Sequence, residues 1–115
     1  MIGRYWRTRK AGTEMTKWIL AKDRRTPVQV DFMTWAKWIE TAEKLVQRTD
    51  VPGGYVSTVF LGIDHRFGGS GPPLLFETMI FGGPHDEYQQ RYSTWEEAEV
   101  GHRKAVELAS LATSL

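Results

Sequence analysis

An α+β fold, with amphipathic helices on a short antiparallel sheet, is what this chain predicts. Three observations carry that expectation. Two runs, Tyr55–Ile63 (YVSTVFLGI) and Leu74–Phe81 (LLFETMIF), are rich in β-branched and aromatic residues. Phe32, Trp35, Trp38, Ile39, Ala42, Leu45 and Val46 recur at spacings of three and four. Ser93-Thr94-Trp95-Glu96 reads as a capping box ahead of a second apolar stripe, Trp95, Ala98, Ala105, Val106 and Ala109.

In chain order, Trp18–Leu20 and Pro27–Val30 flank the polar turn Lys22–Arg25 and read as a short hairpin. Pro27 cannot donate a ladder bond, which makes its segment an edge. Asp31 reads as the N-cap of a first helix of about four turns, ending near Thr49-Asp50 before Pro52-Gly53-Gly54. Within it Glu40 precedes Lys44 by four, the order that favours an exposed ion pair. The two strong runs form an antiparallel pair joined by the glycine-proline stretch 68–73. After Gly82-Gly83-Pro84 the chain reads as loop until Ser93, the expected cap of a second helix reaching about Ala109. The expected order is β(β)αββα.

The chain has 115 residues, 41% apolar and 25% charged, within the range of one globular domain. The absence of cysteine excludes disulfides, thiolate zinc sites and thiol nucleophiles. No apolar run reaches the roughly 20 residues that span a bilayer, and no hydrophobic segment follows the polar start. A cytoplasmic protein is expected. Charge is uneven: residues 1–25 carry a net +6 and the remainder −5. The basic arm, with Arg4, Arg7, Arg9 and Lys10, suits nucleic acid, or is a solvated extension over 1–14 ahead of a domain that begins at Met15.

Three long stretches, STVFLGIDHRF, GPPLLFETMIFGG and RYSTWEEAEVGH, together with the upstream TPVQVDFMTWAKWIETAE, resemble an uncharacterised protein family that recurs in tailed-phage and prophage genomes. The likeness covers about Lys17 to Val106. It implies a phage context, a host-cell cytoplasmic location, and no particular chemistry.

Asp64 and His65 stand where the first strong strand runs into the glycine-rich loop, a usual place for functional groups. Glu77 lies among apolar residues, either on a solvent face or as a buried acid. His102 falls on the apolar stripe of the last helix, as a core histidine or as a group turned toward Asp64, His65 or Glu77. If that helix runs antiparallel to strand 74–81, His102 approaches the loop, and the four form a ligand site. No spacing typical of metal ligands, Walker lysine or Gly-x-Ser-x-Gly element is present; no catalytic residue, metal or cofactor is expected. Five tryptophans are many for one small core, and Trp35 and Trp38 are candidates for a partner surface. The leading expectation is a non-enzymatic phage accessory module that binds a host or phage protein, for example to blunt a host defence, and forms a two-fold dimer. A small-ligand, nucleotide or metal-binding protein and a nucleic-acid-associated protein are the alternatives.

Overall fold

The computed structural model describes residues 15–66 and 70–114, with side chains as far as Leu111. The expected basic extension over 1–14 lies outside the described residues. Among the described residues two sheets and two helices make an α+β arrangement in the order ββαββββα.

Strands β1 (Lys17–Leu20) and β2 (Pro27–Val30) pair antiparallel. Their turn is organised by Asp23, whose carboxylate accepts from the Thr26 hydroxyl at 2.6 Å and from the amides of Arg25 and Thr26. Those donors, the Thr26 hydroxyl foremost, pull the Asp23 pKa down to about 2. Helix α1 (Phe32–Ile39) starts at Asp31, which caps the Thr34 amide at 2.8 Å.

The predicted first helix is twice too long. It stops at Ile39, and residues 45–51 form β3 (Leu45–Val51), so the Glu40–Lys44 helical pair does not arise. Pro52-Gly53 closes a two-residue connection to β4 (Gly54–Phe60). Gly53 takes φ +87°, the conformation that the third position of a Pro-Gly turn demands. A bulge between Leu45 and Gln47 shifts the phase of β3. Val46, Thr49 and Val51 therefore all turn inward, at spacings of three and two that mimic a helical stripe.

β4 pairs with β5 (Phe76–Phe81), as expected, and β5 pairs with β6 (Gln89–Tyr92), in a segment read as loop. The second sheet is thus a four-stranded antiparallel meander, β3-β4-β5-β6. Helix α2 (Trp95–Ser114) crosses one face of it. The cap is Thr94 rather than Ser93: Glu97 N donates to Thr94 Oγ1 at 3.1 Å, while Glu97 Oε1 accepts from the amides of Ser93 and Thr94.

Val56, Thr58 and Phe60 of β4 and Phe76, Thr78 and Ile80 of β5 point at α2, which meets them with Ala98, His102, Ala105 and Ala109. Small side chains at this helical spacing bring the helix close to the sheet. One apolar cluster gathers Leu20, Phe60, Leu75, Phe76 and Ala98; a second gathers Val56, Ile80, Ala105 and Ala109. Trp18 and Trp38 join the first, so the β1–β2–α1 unit closes that end of the core. Among the described residues no helix is long and apolar enough to cross a membrane.

Candidate functional site

The four residues expected to make a ligand site are not brought together. Because Trp95 packs edge-on against Phe76 and Ala105 lies with Ile80, α2 runs in the direction of β5, not against it. Its start lies near the glycine-rich loop and its course leads away, so His102 moves from Asp64 and His65 toward mid-sheet. There His102 is 1% exposed, and its Nδ1 and Nε2 hydrogen-bond Thr58 at 2.7 Å and Thr49 at 2.8 Å. Thr58 in turn bonds Thr78 at 2.6 Å. This polar layer separates the two apolar clusters, and burial lowers the His102 pKa.

Glu77 lies on the opposite face of the sheet, where Arg91 Nε donates to it at 2.9 Å. Asp64 is buried but occupied: Oδ1 accepts from the amides of Arg66 at 2.8 Å and Leu74 at 2.9 Å, tying both ends of the loop. His65 Nδ1 donates to the carbonyl of Ile63 at 2.8 Å. Among the described residues no three His, Asp or Glu side chains converge as metal ligands would.

The tryptophans named for a partner surface are half-buried. Trp38 stands edge-on to Phe60, and Trp35 lies against Gly62 with the Lys17 ammonium 5.6 Å from its ring. The large apolar residues that α1 presents to solvent are Phe32, 59% exposed, and Met33, 74% exposed; α1 has no buried residue. Arg4, Arg7, Arg9 and Lys10 lie outside the described residues.

A different feature has the geometry of a recognition site. An open cleft of about 560 Å³ runs between the edge strand β6 and α2. Its strand wall is Tyr88, Gln90 and Tyr92; its helix wall is Glu96, Val100 and Lys104, one line at four-residue intervals, with Gly101 behind. Gly101 is there because Tyr92 lies on it: a Cβ at 101 would overlap the Tyr92 ring and hydroxyl. Among the described residues no partner meets the Tyr92 hydroxyl in good hydrogen-bond geometry, and burial raises its pKa, so it is protonated at neutral pH. Val100 is 42% exposed.

The two edges of the meander differ. At β3 the Leu45 amide is taken by the Glu43 carboxylate, a bulge follows, and Arg48 and Asp50 pair at 3.3 Å. Such features block edge pairing. β6 has no bulge in its pairing, and its ion pair, Arg91 with Glu77, reaches inward to β5 instead of running along the edge. Ile80 N donates to Tyr88 O, so by antiparallel alternation Tyr88, Gln90 and Tyr92 turn their backbone to β5, and Gln89 and Arg91 turn theirs outward. Sequence reasoning missed this site because β6 carries no apolar alternation; the Glu96, Val100, Lys104 spacing was the available signal. No family model, curated protein or solved structure matches the chain.

Proposed function

We propose that this is a phage-type accessory protein: a non-enzymatic module that binds a host or phage protein, with antagonism of a host defence as its biological setting, and that the β6–α2 cleft is its recognition site. The observation that carries the binding reading is the asymmetry of the sheet, with one edge closed by its own side chains and the other open beside a cleft. The titratable groups support it. Asp64, Glu77 and His102 are engaged by structural partners, on different faces, so none is held ready for acid–base work. The phage setting rests on the family resemblance of residues 17–106.

The test is photo-crosslinking in phage-infected cells, with the crosslinker at Val100 in the cleft or at Gln47 on the closed edge. A protein joined from position 100 and not from position 47 is expected. Equal capture from both positions, or none from position 100, overturns the reading.

A second reading, self-association as a two-fold dimer, is favoured by one observation: α1 is strongly apolar, yet Phe32 and Met33 lie in solvent.

A further inference from the structure

We infer that the β6–α2 cleft takes an extended peptide as a fifth strand, antiparallel to β6, and selects the pattern basic-x-apolar-x-acidic; this rests on the binding-module reading and specifies its ligand. The outward backbone groups of Gln89 and Arg91 supply strand-addition hydrogen bonds, the usual source of affinity in this mode. Side chains of an added strand alternate between faces, so every second one enters the cleft and faces α2.

The helix wall fixes what those side chains are. Glu96, Val100 and Lys104 present an acid, an apolar group and a base along about 12 Å of helix, at 1.5 Å per residue. Positions i, i+2 and i+4 of an extended peptide span about 13–14 Å, so three successive inward side chains match the three helical positions. Among the described residues Glu96 and Lys104 have no ion-pair partner. Glu97, next to Glu96, has its carboxylate engaged in the cap.

Direction follows from topology. β6 runs from Tyr88 toward Tyr92, and α2 returns from Trp95 in the opposite sense. A strand antiparallel to β6 therefore runs along α2, from Glu96 to Lys104. It offers its basic residue first, near Tyr92 and Glu96, its apolar residue against Val100 and across from Gln90, and its acidic residue last, near Tyr88 and Lys104.

The test uses the full chain and two blocked nonapeptides, one containing Lys-x-Leu-x-Glu and the other Glu-x-Leu-x-Lys, titrated to about 1 mM. Amide chemical shifts report the site. The first peptide is expected to move the Gln89 and Arg91 amides and to bind about tenfold tighter than the second, since two exposed ion pairs become two repulsions. The double variant Glu96→Lys, Lys104→Glu should invert that preference. Gln89→Pro, which removes an outward amide and no bond to β5, should abolish binding of both. Equal affinity for the two peptides, or no shift in β6, overturns the inference. So does a concentration-dependent shift of the same amides without peptide, which would identify a second copy as the occupant. The charge-inverted variant keeps the test decisive if Gln89→Pro does not fold. Specific crosslinking from position 100 with no peptide preference would leave the module reading standing and remove this one alone.

Discussion

His102 has its protonation state set by where it lies. Its neutral ring can donate from one nitrogen and accept at the other, which suits a bridge between Thr49 and Thr58. Burial lowers its pKa, whereas in the unfolded chain it titrates near 6.5. The unfolded state thus binds the proton more readily, and stability falls as pH drops from about 6.5 through the lower folded value. Asp23 and Asp31, also lowered, lose their contributions at more acidic pH, toward and below their usual carboxylate range. Urea midpoints should therefore decline between pH 7.5 and pH 5 in the native protein, and the decline should be weaker in His102→Gln. An equal decline in both would assign the effect to other groups. At the start of α2, Thr94→Ala should cost about 1 kcal/mol by stranding the Glu97 amide. Ser93→Ala should be close to neutral, because only the Ser93 backbone takes part in the cap. Chemical denaturation of the two variants, side by side, checks the assignment.

The β3–β4 hairpin shows why a correct pattern can be assigned to the wrong element. Ala42, Leu45, Val46 and Thr49 keep a helical rhythm, but the chain between Ile39 and Pro52 also holds Val46, Thr49 and Val51, which suit a strand. Pairing with β4, itself strongly strand-forming, decides the contest in favour of β3, and the bulge hides the resulting alternation. The turn residues carried the missing signal: Pro52-Gly53 between two extended segments closes a hairpin as readily as it ends a helix. Gly53→Ala should cost about 1–2 kcal/mol, because alanine resists the positive φ. Space is not the obstacle, since a Cβ there would meet only Gly83 Cα, at 3.8 Å. Denaturant midpoints unchanged in this variant would mean that the turn adopts another geometry. β4, β5, the β1–β2 hairpin and the Asp31 cap were legible because each is encoded by contiguous residues. The cleft was not, because β6 is polar and its partner wall is set by the direction of α2. That direction depends on a connection of about ten residues, which can return the chain to either end of a sheet.

At the scale of the whole molecule, α2 and the first apolar cluster leave α1 supported from one side only. Trp38 reaches Phe60, and Trp35 rests on Gly62, but Phe32 and Met33 project away from both. Exposed apolar groups of this size commonly mark an interface. A second copy is a self-consistent occupant. Two α1 helices packed antiparallel about a two-fold axis would set Lys37, in the last turn of one, beside Asp31, at the cap of the other, twice by symmetry. Met33 and Lys37 are four residues apart and share a helix face, so the apolar contact and the ion pairs form together. Eight residues per helix bury less than the roughly 800 Å² per partner of a standard interface, so the dimer should be weak and concentration-dependent. Sedimentation velocity from about 10 to 300 μM should show a shift toward the dimer, lost in Met33→Asp and weakened in Lys37→Glu. A native protein that stays monomeric throughout removes the dimer. A dimer unaffected by Met33→Asp would place the contact elsewhere, and the open β6 edge would be the next surface to test.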